Sequence, residues 1–281
     1  MFGHMRIVML GDIVGACGRQ SVQQLVPRIH EEFSPDLVLA NAENVANGSG
    51  LTPDQYRKLC KAGIDGMTLG DHALRKREIF NILQEQTNII RPGNLPSGAP
   101  GKGWMAVQPR NEALPPVYVM IVLGNMFMGL NANDPFASVD AMLAQIPRKD
   151  AIILVEMHAE TTSEKQAMGW HLNGKVAAVF GSHTHVPTAD ACLLPAAKNS
   201  NLRTAFQADL GMCGGHESVI GRRVEPVLTH LRTGVYMAFD VADKDPRVNG
   251  IILDIDEATG GATDIQRFAM NADPRKPPFM A

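Results

Sequence analysis

Aromatic residues are scarce in this chain: ten Phe, three Tyr and two Trp among 281 residues. They form no sequence cluster that would mark a surface for stacking nucleobases. Cysteine is scarce as well. Cys17, Cys60, Cys192 and Cys213 show no Cys-x-x-Cys spacing, so they read as reduced thiols of a cytoplasmic protein. Apolar runs such as Val117–Leu123 are far too short to span a bilayer. The N-terminus lacks a basic segment followed by an apolar one, so it carries no export signal. A net charge of −3 argues against a long nucleic-acid track or an anionic membrane surface as partner. Repeats, low-complexity tracts and clear linkers are also missing. What remains is ordinary globular composition, 45% hydrophobic and 20% charged, with length enough for a sizeable core. The chain reads as a single domain over residues 1–281. Gly3-His4-Met5 looks like a cloning remnant before a native start at Met5, and the proline-rich tail Pro274–Ala281 reads as extended or flexible.

Hydrophobic periodicity alternates between strand and helix. Arg6–Leu10 is a short apolar run that predicts a first strand ending at Gly11-Asp12. Val22, Leu25, Val26, Ile29 and Phe33 then share one helical face. Asp36–Ala40 predicts a second strand, ending at Asn41-Ala-Glu-Asn44. Thr52-Pro-Asp-Gln55 is a capping box with proline at the first helical position. Gly66–Leu69 is a third strand, before Gly70-Asp-His72 and a helix over about Ala73–Gln86. Such alternation is the pattern of a parallel sheet with covering helices. Further on, Arg91–Gly103 reads as a loop and Val117–Leu123 as a strand. Asp134-Pro135 opens a helix to about Ile146, and Asp150–Met157 is a strand running into His158. A helix runs from Ser163 to about Leu172, and Val176–Phe180 is the next strand. Short runs at 191–194, 204–207, 235–241 and 250–255 suggest a second half rich in strands.

Polar groups recur where these strands end. They are Asp12; Glu43 and Asn44; Asp71 and His72; His158; and, in Gly181-Ser-His-Thr-His185, His183 and His185. In extended chain the last two would project to the same side. A parallel sheet gathers successive carboxyl ends at one edge. Taken singly, each residue has a plain alternative: Asp12 or Asp71 as a helix cap, Glu43-Asn44 as a solvated turn, His158 as a core histidine. Taken together they form a set of oxygen and nitrogen donors without thiolate, which suits Mn, Fe or Zn. Several carboxylates in one place need compensating charge. Seven ligands are too many for one tetrahedral ion and fit two metals about 3.5–4 Å apart.

These motifs carry a resemblance. Gly11-Asp12-Ile-Val-Gly15, Asn41-Ala-Glu-Asn44, Gly70-Asp-His72, His158-Ala-Glu-Thr-Thr-Ser-Glu-Lys165 and Gly181-Ser-His-Thr-His185 resemble, in order and spacing, the YmdB-like branch of the calcineurin-type metallophosphoesterases. Asp134-Pro-Phe136 and Ser218-Val-Ile-Gly221 extend it over nearly the whole chain. The resemblance implies an α/β fold, a four-layer α/β/β/α metallophosphoesterase sandwich of two mixed sheets with metals at one edge. It implies a phosphodiesterase hydrolysing 2′,3′-cyclic nucleotides to the 3′-nucleotide, with two iron or manganese ions. By the family pattern Asp12, Glu43, Asn44 and His185 hold the first metal. Glu43 bridges to the second, which Asp71, His158 and His183 complete. A bridging metal hydroxide attacks phosphorus, and His72 is the general acid. Two features set this branch apart: Val14 stands where the wider superfamily has a histidine, and Glu43 replaces its usual bridging aspartate.

One position departs from the family, whose third block reads Gly-Asn-His. Asp71 adds a negative charge there, and is expected to tighten metal binding and weaken attraction for a phosphate anion. Lys165 and Gly211-Met-Cys-Gly-Gly215 are candidates for the pocket border, Lys165 being equally readable as a solvated helix residue. His216 and His230 have no constellation around them. A phosphomonoesterase, a nucleic-acid-end diesterase, and a regulatory RNA- or protein-binding protein with weak hydrolysis remain alternatives, and a homo-oligomer stays open.

Overall fold

Alternation along the strands decides how the layers stack, because successive side chains of a strand face opposite ways. The structure is a computed structural model that describes residues 4–147, 151–198, 200–273 and 275. In β1 (His4–Leu10), Met5, Ile7 and Met9 face one apolar cluster while Val8 and Leu10 face another. The chain continues through β2 (Asp12–Ile13), α1 (Gly15–Phe33), β3 (Leu37–Asn41), α2 (Pro53–Ala62) and β4 (Gly66–Thr68). A 3-10 turn at Arg77–Ile79 leads into α3 (Phe80–Glu85) and β5 (Ile89–Ile90). Strands β1, β3, β4 and β5 are parallel neighbours in that order. Val22, Leu25 and Ile29 of α1, with Tyr56 and Leu59 of α2, cover the face that carries Val8 and Leu10.

A second sheet follows: β6 (Trp104–Val107), β7 (Val117–Leu123), α4 (Pro135–Leu143), β8 (Ile152–His158), α5 (Thr162–Leu172), β9 (Ala178–Ser182), β10 (Cys192–Leu193) and β11 (Ala205–Gln207). Its order is β10-β11-β9-β8-β7-β6. Val117, Val119 and Ile121 of β7 pack against Met5, Ile7 and Met9 across the gap between the sheets. Met120 and Val122 point outward, onto Val139 and Met142 of α4 and Met168 of α5. The chain then returns to the first sheet with β12 (Met212–Gly215), α6 (Val224–Thr233), β13 (Pro246–Asp256) and β14 (Gly261–Asn271). β13 pairs antiparallel with β1, Val8 opposite Ile252, which makes this sheet mixed. The result is the expected four-layer α/β/β/α sandwich.

Several expectations needed correction. β1 begins at His4, opposite Asp256, one residue before the expected first strand's lead-in at Met5. The helix expected at Ala73–Gln86 is broken into turn, 3-10 turn and the short α3. The helix expected from Ser163 begins one residue earlier, at Thr162, capped by the Thr161 side chain accepting from the Glu164 amide. Among the described residues, the strand-rich second half also holds α6, which buries only Val227, and residues 235–240 are not a strand. The long β14 was not foreseen, because the polar, exposed residues Thr263, Gln266 and Arg267 interrupt any apolar alternation. The Thr52–Gln55 capping box is present as expected. Asp150 and, apart from residue 275, the tail 274–281 lie outside the described residues. Among those residues no helix is long and apolar enough to cross a membrane.

Candidate metal centre

The carboxyl ends of five parallel strands meet at one edge of the sandwich. β1, β3 and β4 deliver Asp12, Glu43 with Asn44, and Asp71 with His72 from one sheet. β8 and β9 deliver His158 and the His183–His185 loop from the other. Tight backbone approach makes this possible. A Cβ on Gly70 would run into the His158 ring and the Glu43 carboxylate, so only glycine fits there.

Glu43, Asp71, His158 and His183 each bring one ligand atom to within 4.8 Å of all the others. His158 Nε2 lies 2.9 Å from Asp71 Oδ1 and 3.3 Å from Glu43 Oε1. His183 Nδ1 is 3.2 Å from Asp71 Oδ1, and the two imidazoles meet edge to face at 4.8 Å. Asp12, Asn44 and His185 adjoin this group. His185 Nε2 is 3.2 Å from Asn44 Nδ2 and 3.9 Å from Asp12 Oδ1. His185 Nδ1 donates to the Ile220 carbonyl at 2.9 Å, which leaves the lone pair on Nε2. His72 donates its backbone N–H to Glu43 Oε2 and its Nδ1 to Asn44 Oδ1, at 2.9 and 2.8 Å. Its ring reaches solvent, with 24% of the side chain exposed.

The histidine pair reaches the site by an unexpected route. β9 stops at Ser182, and His183 (φ 91°) and His185 (φ 64°) are both left-handed. They therefore do not project by strand alternation. Hydrogen bonds from below impose the loop conformation. Asp209 Oδ2 accepts from the Thr184 amide at 3.2 Å, from its hydroxyl at 2.6 Å and from Lys165 Nζ at 2.7 Å. Lys165 is 2% exposed and Asp209 1%. Lys165 is neither a phosphate contact nor a solvated residue: it pairs with Asp209 beneath the loop.

Charge in the site fits a bound cation. Burial drives the Asp12 carboxyl well above its ordinary range, with Glu43, Asp209 and Glu156 adding to the effect. Asp12 Oδ1 is buried without a partner. Burial also opposes ionisation of Glu43 and Asp71. Histidine neighbours nevertheless hold both below the ordinary carboxylate range, His158 and His72 for Glu43 and chiefly His158 and His183 for Asp71. Burial likewise works against charge on His158, but Glu43, Asp71 and Asp12 hold its proton well above the usual range. A proton on the ring thus offsets the surrounding carboxylates, as a divalent cation would at the same place.

Sequence reasoning missed a layer below these groups. Glu156 is fully buried, and its partners come from both sheets. It accepts from Asn41 Nδ2 at 2.7 Å, Thr68 Oγ1 at 2.5 Å and Ser182 Oγ at 2.5 Å. Ser182 Oγ lies 2.8 Å from His158 Nδ1. With its hydroxyl donated to Glu156, Ser182 accepts from Nδ1–H and leaves Nε2 as the ligand nitrogen. A charge inside a strand that otherwise reads as apolar (Ile152–Met157) was the available signal. Glu160, quoted in a motif but given no role, places Oε2 at 3.1 Å from His183 Nε2. Cys213 is buried, and burial pushes its thiol up to about 12, which rules it out as a nucleophile. His216 bonds Gly214 and Asn249 away from the site, and His230 bonds the Val235 carbonyl.

Known proteins resemble this chain in sequence and fold. The family model for YmdB-like proteins matches residues 8–268, and the chain belongs to that family. The 2′,3′-cyclic-nucleotide 2′-phosphodiesterase of Bacillus subtilis (strain 168) is 36% identical over 269 residues, which span 96% of this chain and 98% of that protein. A crystal structure of a hypothetical protein from Thermus thermophilus superposes with a TM-score of 0.85 at 36% identity, covering 95% of this chain and 99% of the other. The crystal structure of a phosphatase from Mycoplasma pneumoniae gives 0.87 at 29% identity, covering 98% and 96%.

Proposed function

We propose that the chain is a phosphodiesterase acting on 2′,3′-cyclic nucleotides or similar small diesters, with two divalent cations of the iron or manganese kind. The coarser statement, a metal-dependent phosphoester hydrolase, follows from its family and its relatives. The observation that carries the finer reading is the Glu43–Asp71–His158–His183 group with Asp12, Asn44 and His185 against its other side. Asp12, Glu43, Asn44 and His185 would hold one ion. Asp71, His158 and His183 would hold the other, with Glu43 shared. Bound there, such ions would supply Lewis acidity, offsetting phosphate charge and making water nucleophilic near neutral pH.

The chain's own residues do the rest. Asn44 fixes the His72 ring through Nδ1, and Nε2, 3.4 Å from Asp71 Oδ2, is the nitrogen that would serve the leaving group. As imidazolium, His72 gives its proton to the 2′ oxygen as the bond from phosphorus to that oxygen breaks. The 3′-phosphate remains on the product. A core shared by both sheets supports the reading as one domain.

Elemental analysis of the purified protein, beside turnover of 2′,3′-cyclic AMP and of a simple monoester, tests the reading. Two metals with cleavage of the cyclic diester are expected; metal-free protein, or loaded protein inert to every ester, would overturn it. His72→Ala should keep both metals and lose roughly 100-fold or more in turnover on poorly activated esters, the scale of general-acid catalysis. Full activity of that variant on a cyclic nucleotide would remove His72 from its role.

A further inference from the structure

A cavity of 630 Å³ opens between the edge strands β5 and β6 and the end of α4, and no metal-centre residue lines it. Its distinctive member is Arg91, just past β5. This side chain is 7% exposed, yet among the described residues it forms no ion pair. Its guanidinium donates to the Pro92 carbonyl at 2.7 Å and the Ala99 carbonyl at 3.3 Å, and its Nε is buried without an acceptor. A guanidinium has five N–H donors. Two carbonyls use part of that capacity and cancel none of the net charge. A buried cation is costly unless an anion pairs with it.

The rest of the lining is of two chemical kinds. Lys102, a second cation, and Thr87, a hydroxyl residue, are also in the lining, and no Asp or Glu is. Trp104, Met105 and Met142 are the apolar members of the lining. The Trp104 indole N–H is engaged by Gln145 Oε1 at 3.4 Å, so the ring offers its apolar surface. The cationic members suit an oxyanion and the Trp104 ring suits a flat apolar group, in a volume typical of small-molecule sites.

We propose that this cavity is a second ligand site, distinct from the metal centre, for a small anion bearing an aromatic ring, of the nucleoside monophosphate class. Phosphate sits against Arg91, Lys102 and Thr87; the base lies beside Trp104. The proposed reaction releases a molecule of this kind, but the site follows from the cavity and stands without that reaction.

Fluorescence titration tests it on the full-length, metal-loaded protein carrying Trp170→Phe, so that Trp104 alone reports. Saturable quenching by 3′-AMP is expected, with affinity at least tenfold tighter than for inorganic phosphate. Arg91→Met should weaken it tenfold or more while metal content stays unchanged. Lys102→Glu, at an exposed position, should weaken it too and serves if Arg91→Met fails to fold. No saturable response would overturn the proposal. So would a response that survives these substitutions, or inorganic phosphate binding as tightly as 3′-AMP.

Discussion

Ser182 shows how one small side chain can govern a site it does not reach. It stands between the fully buried Glu156 and His158 Nδ1, at 2.5 and 2.8 Å, and so decides which imidazole nitrogen would face a bound cation. Ser182→Ala removes that bond and leaves Glu156 one donor short. The expected result is a loss of roughly 10–100-fold in metal affinity, read by competition with a chelating dye, in a protein that still folds. The two loop histidines give a finer test. His183 lies beside Asp71, His185 beside Asp12 and Asn44. His183→Ala should release one ion and spare the one at Asp12; His185→Ala should do the reverse. Elemental analysis showing both ions retained at native affinity in either variant would refute the assignment of ligands.

Elements place these residues more by what lies under their ends than by their regular parts. The loop after β9 is held in left-handed conformation by Asp209, and Lys165 on α5 neutralises Asp209. Both partners are buried, so losing one strands the other. Lys165→Met keeps the apolar stem but leaves Asp209 uncompensated. It should destabilise the protein by about 3–5 kcal/mol in denaturant unfolding and weaken metal binding through the loop. Unchanged stability would mean that Asp209 finds another counter-charge. α6 contributes one buried residue, Val227, and leaves Leu228 and Leu231 exposed. An element with so little interior contact leaves only a faint mark in hydrophobic patterning.

At the scale of the whole molecule, the candidate metal centre lies between two sheets that also meet through apolar packing and the Glu156 bonds to Asn41 and Thr68. Carboxylates from the first sheet and imidazoles from the second crowd into a buried space, with Asp12 Oδ1 unpartnered. Cations that bind the folded chain and not the unfolded one stabilise it by mass action, by about 2.7 kcal/mol at a hundredfold excess over Kd. Stripping the metals with a chelator should therefore lower the melting temperature by roughly 5 °C or more, and manganese should restore it. A melting temperature indifferent to chelator would show that the ligand set is stable without cations.

The sequence by itself determined the strand ends and the residues on them. An apolar run followed within a few residues by Asp, Glu, Asn or His is a local pattern, so Asp12, Glu43, Asn44, Asp71, His72, His158, His183 and His185 could be picked out as candidates without coordinates. Their order and spacing carried the family and, through it, the sandwich. Only the tertiary structure decided the supports. Glu156 acquires meaning from Asn41, Thr68 and Ser182, which lie 115, 88 and 26 residues away, and Lys165 from Asp209, 44 residues away. The left-handed turns at His183 and His185 likewise answer to Asp209 and the Ile220 carbonyl rather than to their own neighbours. A side chain's local preferences reach a few residues along the chain. Burial and hydrogen-bond partners are set by packing between layers, which no short stretch of sequence contains.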